Sequence, residues 1–149
     1  MKNSSKIKKS DLLLLHHLRK NARTTITDVH KSTKISMSCL FDRLDILEQE
    51  TILGYTSLVD FSRLRWPIRI FFIAKTKSAV PHCRSINSIT RAENCLIVEG
   101  IFRNMKELDE YRERLRETGI EEVEEHHVLE ELKVESFLTD EKHLNMIPI

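Results

Sequence analysis

Ser36, Ser38, Cys39, Asp42 and Arg43 lie close together in one short stretch, and several of them carry groups able to read base-pair edges. Serine hydroxyls bond bases or phosphates, arginine addresses a guanine edge or a phosphate, and aspartate accepts from cytosine N4. Arg23, Lys31 and Lys34 precede them, with Arg19 and Lys20 before and Arg63, Arg65 and Arg69 after. Cations so placed supply affinity for a phosphate backbone, and make it depend on salt. Asp42 and Asp45 act against this, because a carboxylate near phosphates is repelled. The chemistry is that of a double-stranded DNA reader whose reading helix is net negative and whose flanks are positive. A helical platform retained for binding protein is the competing reading.

The elements that must hold these residues are legible over residues 10–55. Ser10 is a plausible N-cap, with Asp11 in a first turn where the helix dipole favours negative charge. Leu14, Leu15 and Leu18 follow at helical spacing, and His16 and His17 read as solvated or rim positions. Thr25 or Thr27 caps a short second helix that carries Val29 inward. Ser32-Thr33-Lys34 is a turn, and Ser36 caps a third helix that runs to about Glu50. Leu40, Leu44 and Leu47, with Ile46 alongside, give that helix one apolar face against Leu15 and Leu18. The arrangement is a helix-turn-helix, which presents one helix to the major groove. Ile52, Leu53, Gly54 and Tyr55 break the helical period and take the position of a wing.

Charge is divided along the chain. Residues 1–91 hold 17 Lys/Arg against 7 Asp/Glu, whereas residues 92–149 hold 7 against 16. Lys2, Lys6, Lys8 and Lys9 read as a frayed terminus or as an arm along DNA phosphates. Leu12 to Leu15 is too short an apolar run for a signal-peptide core or a membrane span, so a cytoplasmic protein without membrane contact is expected. Cys39, Cys83 and Cys95 form no C-x-x-C pair and suggest neither a zinc ribbon nor a disulfide framework. Glu124-Glu125-His126-His127 falls on a strand, where alternate residues share a face, and no third ligand is close in sequence. No metal, cofactor or catalytic residue is expected.

Composition shifts after Pro67. Ile68 to Ala74 is rich in β-branched and aromatic residues and reads as a buried strand. Residues 77–83 contain Pro81 and are too short for a good helix, residues 85–90 suggest a second strand, and residues 95–102 a third. Asn104 with Glu107 opens a helix in the manner of a capping box. Met105, Leu108, Tyr111, Arg112 and Leu115 are expected on its inner face, Glu110 and Arg114 as an i,i+4 pair outside, and Gly119 as its stop. Residues 120–134 read as a last strand. The expected class is α+β: an N-terminal winged helix-turn-helix over residues 1–55, a linker over 56–66 with a strand-like Leu58-Val59, and a domain over 67–137. That domain is a ferredoxin-like βαββαβ sandwich with a shortened first helix, followed by a tail of residues 138–149 without a clear element. Two such small cores make dimerisation a source of further burial.

Over residues 10–134 the chain resembles the Lrp/AsnC family of transcription regulators. The resemblance rests on Asp11, Leu14, Leu15, Leu18 and Asn21-Ala22-Arg23, on Ile35-Ser36-x-Ser38 with Arg43-Leu44, and on Ile52-Leu53-Gly54-Tyr55-Thr56 with Val59-Asp60 and Leu64. It implies a DNA-binding domain followed by a RAM-type sensing domain. It implies a homodimer, or a higher homo-oligomer, formed through the C-terminal sheets and matched to a palindromic operator. It also implies a small-molecule effector at the turn Arg91-Ala92-Glu93-Asn94, where the family's glycine is missing and an amino acid fits poorly. Lys34 stands where the family has Gly, at a cost of roughly 1 kcal/mol if the left-handed region is required. His30 replaces the small residue that lets the two helices approach. Siroheme decarboxylases resemble the same two-part architecture. An enzyme of that kind would draw on His82, Arg84 or Arg91.

Overall fold

A computed structural model describes residues 6–120 and 122–148. Lys2, part of the expected basic arm, lies outside the described residues. The chain forms two compact units, Met1–Ser57 with Leu132–Ile149, and Leu58–Glu131.

In the first unit three helices follow one another: α1 Lys9–Lys20, α2 Ile26–Thr33 and α3 Met37–Glu50. Helix α1 starts earlier than Ser10 because the Asp11 carboxylate accepts the Lys8 N–H at 2.7 Å, which makes Lys8 the N-cap. Thr25 and Ser36 cap α2 and α3, accepting from the amides of Asp28 at 3.1 Å and Cys39 at 3.4 Å. The core is Leu14, Val29, Leu40 and Leu47, with Leu15, Leu18, Leu44 and Ile52 packed against it. Each such leucine contributes roughly 1.5–3 kcal/mol through burial.

The wing differs from expectation. Residues 52–60 include no strand. Ile52 tucks into the core while Leu53 stays exposed, and a lone extended segment has no ladder partner to order it. Its anchor is the Tyr55 hydroxyl, which donates to Glu48 at 2.8 Å. The tail differs too. It carries a 3-10 helix, Glu141–Met146, and packs on α1. His16 is buried, with Nδ1 donating to the Leu138 carbonyl at 2.7 Å. Arg19 bonds the Phe137 carbonyl at 3.1 Å and the Glu135 carboxylate at 2.8 Å. His16 is therefore not a rim residue.

The second unit is one antiparallel sheet with a helix on one face. Its elements are β1 Ile68–Ala74, β2 Ile86–Arg91, β3 Leu96–Phe102, α4 Met105–Glu117 and β4 Val123–His127. The strand order β2-β3-β1-β4 is that of a ferredoxin-like sandwich. Its first helix is reduced to nothing: residues 75–85 contain turns and bends only. This short connection contains Pro81, which disrupts a helix interior. The last strand is much shorter than residues 120–134, and Leu58-Val59 forms no strand.

Ile70, Phe72 and Ala74 meet Leu108, Tyr111 and Leu115 in the core. Phe72 and Tyr111 pack with ring centroids 5.2 Å apart, and Phe102 with Tyr111 at 5.9 Å. Asn104 caps α4 by accepting the Glu107 N–H at 3.0 Å, and Gly119 takes φ +73° just past its end. Met105 is exposed rather than inward. Arg112, half-buried, bonds Asp109 at 2.7 Å and Glu125 of β4 at 2.6 Å. The expected Glu110–Arg114 pair does not form. The other sheet face carries Arg69, Phe71, Ile73 and Ile97 around a buried Glu99. Burial pushes the Glu99 carboxyl up, but hydrogen bonds from Asn87 and Arg69 outweigh it and hold the group below the usual carboxylate range. Among the described residues no helix is long and apolar enough to cross a membrane.

Candidate nucleic-acid interface

The link between α2 and α3 is held by three local devices. Lys34, the C-cap of α2, adopts φ 63° and ψ 11°, the left-handed conformation foreseen for a turn that lacks glycine. Its amide donates to the His30 carbonyl at 2.8 Å. The His30 ring then spans the turn, Nδ1 donating to the Ile35 carbonyl at 2.6 Å. The bulky residue that replaces a small one thus serves as a strut across the corner. On the second helix, Thr25 Oγ1 also donates to Asp28 at 2.6 Å, and that bond holds the Asp28 carboxyl below its usual range.

Lys31, Lys34, Ser36, Ser38, Cys39 and Asp42 are all exposed, as is Arg23, which stands before the start of α2 rather than at this corner. Lys31, Lys34, Ser36, Ser38 and Cys39 cluster about the turn and the first turn of α3, whose N-terminal end favours negative charge. Arg43 is different. It is 7% exposed and turned inward, its Nε and Nη2 each 2.6 Å from the two oxygens of Asp11, which is itself wholly buried. Burial pushes the Asp11 carboxyl up. The Arg43 hydrogen bonds, the Lys8 amide and the Arg43 charge overcome that and hold it below its ordinary 3.8. The guanidinium joins α1 to α3 and is turned away from the exposed surface of α3. Arg43, expected as a base reader, is instead a structural link between the two helices.

The outward stripe of α3 is Ser38, Asp42, Asp45 and Gln49, with Glu48 beside it. No cation lies on that stripe. Two residues that sequence reasoning passed over stand next to it: Met37, 39% exposed, and Phe41, 50% exposed. Their signal was available, since both fall outside the Leu40, Leu44, Leu47 spacing.

Arg91 ends β2, and Ala92, Glu93 and Asn94 form the β2–β3 turn, closed by the Ala92 N–H on the Cys95 carbonyl at 2.9 Å. All four are exposed. His82 and Arg84 line a cleft against α4. On β4, Glu125 is taken by Arg112, and His126 Nε2 lies 3.6 Å from Glu124.

No family model matches the chain. An uncharacterized HTH-type transcriptional regulator of Pyrococcus abyssi (strain GE5 / Orsay) is 27% identical over 120 residues, covering 71% of this chain and 77% of its own. Among solved structures, E. coli AsnC superposes with a TM-score of 0.71 at 20% identity, over 87% of this chain and 96% of that one. The chain has the Lrp/AsnC fold. B. subtilis LrpC matches that fold with a TM-score of 0.71 at 18% identity, over 86% of this chain and 98% of its own. A Neisseria meningitidis transcriptional regulator, solved as its L-Met complex, matches with a TM-score of 0.72 at 18% identity, over 87% and 94% of the two chains. In this Lrp/AsnC-fold chain the outward stripe of α3 is acidic, and no helix joins β1 to β2.

Proposed function

We propose that this protein is a DNA-binding transcriptional regulator of Lrp/AsnC type that acts as a homodimer. The observation that carries the reading is the exposed cluster at the α2–α3 corner, where Lys31 and Lys34 flank Ser36, Ser38 and Cys39. Lysines of this kind hold phosphates, and the hydroxyls and thiol at the start of α3 reach base edges. Asp42, Asp45 and Glu48 confine base contact to the first turn and a half, because farther along the helix carboxylates would face the DNA backbone. Met37 and Phe41 add apolar surface suited to a thymine methyl group. Specificity then rests on few contacts, and affinity on Arg23, Lys31 and Lys34. The half-buried Phe71, Ile73 and Ile97 on the sheet face away from α4 support pairing of two copies through that face.

The test is selection of bound fragments from a genomic DNA pool across a salt series, followed by sequencing. Enrichment of a palindromic motif supports the regulator. Weak binding without enrichment would instead favour a helix-turn-helix that meets protein.

A further inference from the structure

The connection that replaces the sandwich's first helix leaves a cleft of about 410 Å³ between itself and α4. Arg84 enters from the connection and Arg114 from the helix. Among the described residues neither has a carboxylate within ion-pair reach, although Glu110 lines the same cleft one turn before Arg114. Their neighbours behave otherwise: Arg103 is taken by Glu107 at 3.0 Å, and Arg112 by Asp109 and Glu125. With Glu107 engaged by Arg103, the described residues that line the cleft set the guanidinium groups of Arg84 and Arg114 against the carboxylate of Glu110.

Tyr111 supplies a second, independent observation. It lines the cleft and is 2% exposed, yet its buried hydroxyl has no hydrogen-bond partner among the described residues. Burial, with Cys83 nearby, pushes that phenol up to about 12, so it is a donor at neutral pH. A buried hydroxyl left unsatisfied is destabilising, and a phenylalanine would fill the same core without that cost.

We propose that this cleft binds a small organic anion, its carboxylate or phosphate group held by Arg84 and Arg114 and oriented by the Tyr111 hydroxyl. Guanidinium groups bind either oxyanion through paired N–H donors. The cleft is separate from the Arg91-Ala92-Glu93-Asn94 turn, and the proposal stands whether or not the first unit binds DNA.

The experiment titrates the full, ¹⁵N-labelled chain with inorganic phosphate and, separately, with malonate at constant ionic strength. Amide shifts are followed by NMR. Saturable shifts confined to residues 82–85 and 110–114 are expected with at least one probe, and the probe that saturates identifies the oxyanion. The double variant Arg84→Gln/Arg114→Gln should bind at least tenfold more weakly. Tyr111→Phe should bind several-fold more weakly while melting no lower than the parent. Shifts that never saturate with either probe, or equal binding by the parent and both variants, would overturn the proposal.

Discussion

Replacing Arg43 by methionine separates the structural account of this residue from a role in base reading. The substitution keeps an unbranched stem in place but strands the Asp11 carboxylate, which is wholly buried and keeps only the Lys8 N–H at 2.7 Å. Removing one partner of a buried ion pair costs about 3–5 kcal/mol. Against a total stability of about 5–15 kcal/mol, that loss is readily seen in urea unfolding followed by circular dichroism. A second substitution should restore most of it. In Asp11→Asn/Arg43→Met the buried charge is gone and the acceptor for Lys8 remains. The pH dependence gives a further signature. In the parent the folded Asp11 pKa lies below the ordinary 3.8, so the pair's contribution is complete above that value and is lost as pH falls through the folded pKa. Without Arg43, burial dominates and the Asp11 pKa rises. The variant therefore relieves its buried charge by taking up a proton as pH falls, and its deficit relative to the parent narrows. A variant as stable as the parent that binds DNA tenfold more weakly would place Arg43 on the reading surface instead.

Lys34→Gly should stabilise the first unit by up to about 1 kcal/mol by relieving φ 63°, and should reduce the salt slope of DNA binding by about 0.9; thermal melts and binding across salt check the two effects. Gly100→Ala should cost about 1–3 kcal/mol, because a Cβ there would lie 2.4 Å from the buried Phe102 ring; an unchanged melting temperature would contradict this. The His17 imidazole is held below its ordinary 6.5 by burial and then by the charges of His16 and Lys20, against the pull of Glu141. The unfolded chain thus takes the proton more readily. Stability should be complete above about pH 6.5 and fall as pH drops through the folded value, and His17→Gln should flatten melts recorded from pH 7.5 to 5.5.

The helices around the turn were legible because their signals are local. Thr25 and Ser36 each act on an amide three residues ahead, and Leu40, Leu44 and Leu47 repeat at helical spacing. The Asp11–Arg43 link joins residues far apart in sequence, so no window contains both. A trace was nonetheless present. Asp11 sits in register with Leu14 and Leu18, and Arg43 with Leu40 and Leu47, so each charge occupies a core position of its helix. Reading that pattern as a buried pair would have removed Arg43 from the DNA-facing set. The strands β1 and β3 were legible from dense β-branched and aromatic runs. The tail was not, since its order comes from His16 and Arg19 on α1 rather than from any period of its own. The cleft depends on how α4 meets the loop before β2, and no spacing within either segment encodes that.

Whether cations at the α2–α3 corner bind the DNA backbone is read from the slope of log affinity against log salt, for the full chain and for Lys31→Gln/Lys34→Gln. The parent should show a steep slope, and the variant one shallower by roughly 1.8, since each phosphate contact contributes about 0.9. Equal slopes would mean that these lysines do not meet phosphates and that the corner is not the backbone-binding surface.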